Sequence, residues 1–124
     1  MEGFFVDKSE NSPRILLDWE QGLIEFDGKS YPENTFEFYE PVIEWLEIYF
    51  SGKAKNKTVV NIKLIYFNSA TTQVLFDIFD LIQDGEKNEL EINWFYDGSD
   101  EFGTEDYEDY VDEFPDLHIK AVPF

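Results

Sequence analysis

The sequence predicts an α/β fold: a single domain whose mixed sheet of about five strands carries helices mainly on one face, in the order β-β-α-β-α-β-α-β. Three observations predict it. Residues 58–67 and 90–96 alternate apolar and mixed positions with the period of a strand, and helical apolar stripes precede, separate and follow them. Each of these strands has one cleanly apolar face rather than a continuous apolar run, which is the pattern of a sheet covered fully on one side only. At 124 residues the chain has room for one layered core and no second one.

Taken in order, residues 1–12 read as a flexible lead-in that ends at Ser12-Pro13, with the domain proper spanning 13–124. Ile15 to Trp19 and Leu23 to Phe26 read as two strands joined at Glu20-Gln21-Gly22, the second closed by the turn pair Asp27-Gly28. Asn34 and Glu37 have the spacing of a capping box. Beyond them Tyr39, Val42, Ile43, Leu46 and Phe50 share one helical face. Pro41 either kinks a helix begun at Asn34 or marks the first turn of one begun near Glu40. Ser51 to Lys57 reads as a loop. Val74, Leu75, Ile78, Phe79, Leu81 and Ile82 mark a second helix that ends near Asp84-Gly85. A third lies in the acidic stretch Gly98 to Glu113, stopped by Pro115, and Leu117 to Val122 is the last strand. Helical crossovers after the opening hairpin require the strands they join to run parallel.

Composition narrows the function. A 43% hydrophobic fraction and 19% aromatic fraction mean that the chain folds, whatever its charge. The net charge of −19, with only nine cations, argues against nucleic acid and anionic membrane as partners. The absence of cysteine removes disulfides, thiol catalysis and Cys-based zinc sites. The N-terminus lacks the pattern of a secretory signal, and no apolar run approaches the roughly 18 residues of a membrane helix, so a cytoplasmic location is expected.

Catalytic chemistry finds few parts. The single histidine, His118, falls in the last predicted strand, without partners for a triad or a two-histidine metal site. No glycine-rich phosphate loop is present. Paired carboxylates carry no signal among 28 acids, and Asp97-Gly98-Ser99-Asp100-Glu101 lacks the ligand spacing of a calcium loop. No catalytic residue, metal ligand or cofactor is assigned. A small carboxylate- or metal-dependent enzyme is the weakest of the readings kept open.

The junction Tyr66-Phe67-Asn68-Ser69-Ala70-Thr71-Thr72 stands apart. It joins a predicted central strand to a helix start and crowds an amide and three hydroxyls into five residues. Asn68 or Ser69 is suited to cap the helix. The same backbone geometry suits a phosphate, which meets free N–H groups and the positive end of the helix dipole. A phosphoryl group there adds about −1.5 to −2 charges at neutral pH, enough to alter partner binding without refolding.

Three segments in order carry a family likeness: Gly28-Lys29-Ser30-Tyr31-Pro32-Glu33-Asn34, then Tyr66-Phe67-Asn68-Ser69, then Asn93-Trp94-Phe95-Tyr96-Asp97. They resemble the SiaC family of bacterial regulatory phosphoproteins over residues 13 to 123. The resemblance implies a fold of the SpoIIAA or STAS type, that of the anti-sigma-factor antagonists. It also implies a threonine after the junction Asn that a partner kinase phosphorylates and a membrane-linked phosphatase restores. The unphosphorylated protein is then expected to bind and activate a diguanylate cyclase, raising cyclic di-GMP and promoting biofilm. That threonine position falls on Ser69, which keeps the hydroxyl and lacks a methyl; Thr71 is the second choice. Tyr31, Glu33, Asn34, Tyr66, Asn68, Thr71 and Thr72 are the residues the resemblance suggests for the partner-binding surface, and Trp94 is assigned to the core. An anti-sigma-factor antagonist in a partner-switching cascade is the alternative within the same class.

Overall fold

A computed structural model describes residues 1–124. Six strands form one sheet in sequence order. They are β1 (Phe4–Val6), β2 (Arg14–Asp18), β3 (Leu23–Ser30), β4 (Lys57–Phe67), β5 (Glu89–Tyr96) and β6 (Lys120–Pro123). β1, β2 and β3 pair antiparallel, while β3 to β6 run parallel. The crossovers are α1 (Thr35–Ile48), α2 (Ser69–Gly85) and α3 (Glu105–Glu113).

Strand order explains the one-sided cover. Each parallel step moves one strand in the same direction, and right-handed crossovers taken in one direction lay every helix on the same face. Burial agrees: Ile24, Phe26, Val60, Ile62, Leu64, Ile92 and Trp94 are buried on the helix side. The alternate residues on the open face form a polar ladder across the strands. Arg14 sits 3.5 Å from Glu25, Asn61 donates to Glu25 at 2.9 Å, and Asn93 donates to Asn61 and Glu91, each at 2.9 Å. Lys57 and Lys120 complete the ladder at 3.7 and 3.9 Å from Glu91.

Several expectations need correction. The sheet has six strands rather than about five, because the expected lead-in, residues 1–12, contains β1. That segment is tied down further by the Trp45 indole N–H, which donates to the Glu2 carbonyl at 2.8 Å. Asp27-Gly28 is no turn. β3 runs on to Ser30, and its register against β4 shifts between Gly28 and Lys29, with Gly28 at a φ of 130° that a side chain rarely adopts. Pro41 lies inside one continuous helix, exposed on its outer side, and the real start of α1 is the Asn34 cap. Tyr49–Lys53 continues that helix as a π turn, whose last residues Ser51–Lys53 fall in the segment expected to be a loop. Within the acidic stretch from Gly98, a run of turns comes first and α3 covers Glu105–Glu113. His118 precedes the last strand in a left-handed conformation with φ 51°, and is exposed.

The aromatic supply fills the space between sheet and helices. Trp94, 3% exposed, packs on Tyr110 at 4.9 Å between ring centres, and Phe79 and Phe114 extend the cluster under α3. Burying rings of this size contributes about 1.5–3 kcal/mol per side chain, which is how so acidic a chain stays folded.

Candidate functional site

The site forms at one end of the parallel sheet, where β3 and β4 deliver their C-terminal residues beside the starts of α1 and α2. Strand β4 stops at Phe67, and Asn68 caps α2 with extended backbone, φ −84° and ψ 173°. Its side-chain oxygen accepts the Thr71 N–H at 2.8 Å. Its amide nitrogen donates to the Thr35 hydroxyl of α1 at 3.2 Å, and its own N–H donates to the Ser30 carbonyl at 3.0 Å. One residue therefore joins a strand and two helix starts.

Ser69 is the first residue of α2, and its side chain is exposed. Thr72 makes the first intrahelical bond, its N–H donating to the Asn68 carbonyl at 3.1 Å. With Thr71 capped, the N–H groups of Ser69 and Ala70 are left for solvent or an anion. No acid stands in the first turn of α2, although the chain has 28 to place and a helix start favours them.

The two remaining hydroxyls of the junction differ from Ser69. Thr71 is 0% exposed, so it is not an acceptor that a kinase can reach, nor a surface for a partner. This overturns its place as second acceptor and partner contact. The physical reason is helical: two residues on from Ser69, Thr71 is turned about 200° around the axis, from solvent into the core. Its hydroxyl donates to the Ser30 carbonyl at 3.0 Å and lies 2.8 Å from the Ser30 hydroxyl, which lies 2.7 Å from the Tyr39 hydroxyl. A carbonyl only accepts, so the proton order follows: Tyr39 donates to Ser30, Ser30 to Thr71, and Thr71 to the Ser30 carbonyl. Every donor in the chain is used. Burial pushes the Tyr39 phenol up to about 12. Thr72 is half-buried, its hydroxyl 3.4 Å from the Asn68 carbonyl.

The same end of the sheet carries exposed aromatic rings. Tyr66 is 58% exposed and meets the half-buried Tyr31 edge-on at 5.3 Å. Tyr31 is held by its N–H on the Asn11 carbonyl at 2.9 Å and its hydroxyl on the Glu10 carbonyl at 3.1 Å. With Lys29 the two rings line a shallow concavity of about 380 Å³. Glu33 and Asn34 are exposed at the α1 start, where the Glu37 N–H donates to the Asn34 side-chain oxygen at 3.4 Å and the Asn34 side-chain amide donates to the Glu37 carboxylate at 2.7 Å. Phe36, in the first turn of α1, is 57% exposed.

Of the predicted residues, Ser69, Tyr31, Glu33, Asn34, Tyr66 and Asn68 thus lie at this one end, Thr72 is half-buried on α2, and Thr71 lies beneath. Sequence reasoning missed Ser30, Tyr39 and Thr35 as supports. Ser30 had a signal, since it follows Phe26 and Gly28 at every second position on the core face of β3.

A family model described as "SiaC family regulatory phosphoprotein" matches residues 6–124. An uncharacterised protein of Pseudomonas aeruginosa (strain UCBPP-PA14) is 27% identical over 115 residues, covering 91% of this chain and 90% of its own. Among solved structures, SiaC of Pseudomonas aeruginosa matches with a TM-score of 0.83 at 24% identity, over 100% of this chain and 98% of that one. A crystal structure of the diguanylate cyclase SiaD in complex with its activator SiaC, from the same organism, matches with a TM-score of 0.79 at 25% identity, over 96% and 99%. With the family model spanning all but five residues, the chain belongs to the SiaC family of regulatory phosphoproteins.

Proposed function

We propose that this chain is a non-catalytic binding module whose partner is chosen by reversible phosphorylation of Ser69. A protein kinase adds the phosphoryl group and a phosphatase removes it. The unmodified form binds and regulates a diguanylate cyclase, as the SiaC of the matched complex is the activator of SiaD. The observation that carries the reading is Ser69 itself: a solvent-exposed hydroxyl at the first position of a 17-residue helix, with no acid in that helix turn. A phosphoryl group on it meets the N–H groups of Ser69 and Ala70 and the helix dipole, so the dianion is accommodated locally. Seen from outside, about −1.5 to −2 charges arrive at the end of the sheet that also carries Tyr31, Tyr66 and Phe36. A partner surface that packs on those rings must then desolvate the phosphate, which is expensive without a matching cation.

The test combines mass spectrometry with binding. Incubated with its kinase and ATP, the protein gains one phosphoryl group within the 66–72 peptide. Ser69→Ala then binds the cyclase constitutively, and Ser69→Asp weakens binding at least tenfold. Equal binding by both variants, or modification elsewhere in the chain, removes Ser69 from the role.

A further inference from the structure

We infer that Ser30, Tyr39 and Thr71 are positioning residues that lock the starts of α1 and α2 into one rigid unit, so that phosphorylation of Ser69 acts through surface charge and leaves both helices in place. The inference rests on Ser69 being the acceptor, and it concerns how the modification is read. Thr71 is a buried hydroxyl that the switch chemistry does not use, and it accounts for the arrangement. Its hydroxyl and backbone N–H are both committed, to Ser30 and Asn68 respectively.

Ser30 is the hub. Its carbonyl accepts from the Asn68 N–H and the Thr71 hydroxyl, each at 3.0 Å, filling both lone pairs. Its hydroxyl lies between Tyr39 of α1 and Thr71 of α2, at 2.7 and 2.8 Å. Ser30, Tyr39 and Thr71 are each 0% exposed, so shifting either helix start orphans groups that no water replaces without opening the core. Asn68 adds a second tie between the helices through Thr35, which is 5% exposed. A phosphate on Ser69 needs none of these atoms. It projects from the opposite side of α2, and the N–H groups of Ser69 and Ala70 suffice for it. The locked unit also spans the exposed surface, since Phe36 and Ser69 stand on the two helix turns that Asn68 and Ser30 join.

Residue-resolved amide hydrogen exchange of the full chain tests this. The reporters are Asn68, whose N–H bonds the Ser30 carbonyl, Thr72 in the first turn of α2 and Phe38 in the first turn of α1. Four proteins are compared: unmodified, carrying phosphoserine at 69 installed during translation, Thr71→Val and Thr71→Ser. The phosphoserine protein exchanges within about threefold of the unmodified one at all three reporters. Thr71→Val, which keeps the shape and loses the hydroxyl, speeds all three by about tenfold or more, and Thr71→Ser restores them. The inference is overturned if phosphoserine speeds Asn68 or Phe38 about tenfold. It is equally overturned if Thr71→Val loosens Thr72 while Phe38 stays unchanged. Should Thr71→Val not fold, Tyr39→Phe cuts one bond of the same chain and is read at the same reporters, with the same outcomes. Cyclase binding by the phosphoserine protein is measured alongside: undiminished binding there sinks the Ser69 switch and leaves the exchange result to stand on its own.

Discussion

Replacing Tyr39 with Phe isolates one buried hydroxyl and makes its contribution depend on pH in a calculable way. At pH 7 the variant loses the first donor of the Tyr39–Ser30–Thr71 chain, but strands no donor: Ser30 and Thr71 still donate onward. The cost is that of one neutral hydrogen bond, about 1 kcal/mol. Alkali reverses the balance. The phenol titrates at about 12 in the fold against 10.0 when free, because burial disfavours the phenolate. A group raised in this way contributes stability that is whole below pH 10 and is lost as the pH climbs through 12. At about pH 11 the unfolded chain has released this proton and the folded one has kept it, which costs the wild type about 1.4 kcal/mol relative to neutral pH. The Phe variant is spared that loss, while the other tyrosines titrate alike in both proteins and cancel. Urea unfolding at pH 7, 9, 10 and 11 measures the gap. The wild type is ahead by about 1 kcal/mol at pH 7 and level or behind by pH 11. A gap that stays constant from pH 7 to 11 refutes the burial of the ionising atom.

Two further outcomes follow from single side chains. Tyr110 is 1% exposed and its hydroxyl has no hydrogen-bond partner. Tyr110→Phe therefore leaves the midpoint of thermal unfolding unchanged or raises it, and a loss above about 1 kcal/mol shows that the hydroxyl is satisfied in solution. On the open face, the Asn93 hydrogen bond, with Lys120 and Lys57 nearby, holds the Glu91 carboxyl below its ordinary value of 4.5. A depressed acid contributes stability above its unfolded pKa and loses it as the pH falls through the folded one. The stability difference between wild type and Glu91→Gln accordingly shrinks on acidification below about pH 4.5, and a difference that grows there contradicts the ladder.

Local pattern carried much of this fold. Period-two alternation in 58–67 and 90–96 and the helical stripe from Val74 to Ile82 were legible because each element buries a face that its own residues spell out. The one-sided cover was legible too, from the mixed character of the second face. At the site, Asn68 as cap and Ser69 beside it were readable from residue type and place. The errors lie where a neighbour decides. Phe4–Val6 is a strand only because β2 offers it an edge, and Leu17 is its partner across that edge. Asp27-Gly28 has the composition of a turn, and becomes a bulged strand because β4 pairs with β3 beyond it.

By itself, then, the sequence determined the two central strands and the helices that flank them, that the sheet is covered on one side, and that a hydroxyl follows a capping Asn at the mouth of a helix. Tertiary structure alone decided which hydroxyl meets solvent. Ser69 and Thr71 are alike in chemistry and two residues apart, but the packing of α2 against β3 and α1 turns one outward and seals the other against Ser30 and Tyr39. A hydrogen-bond partner 41 positions away leaves no trace in local pattern, because it is chosen by how elements pack and not by what either segment prefers on its own.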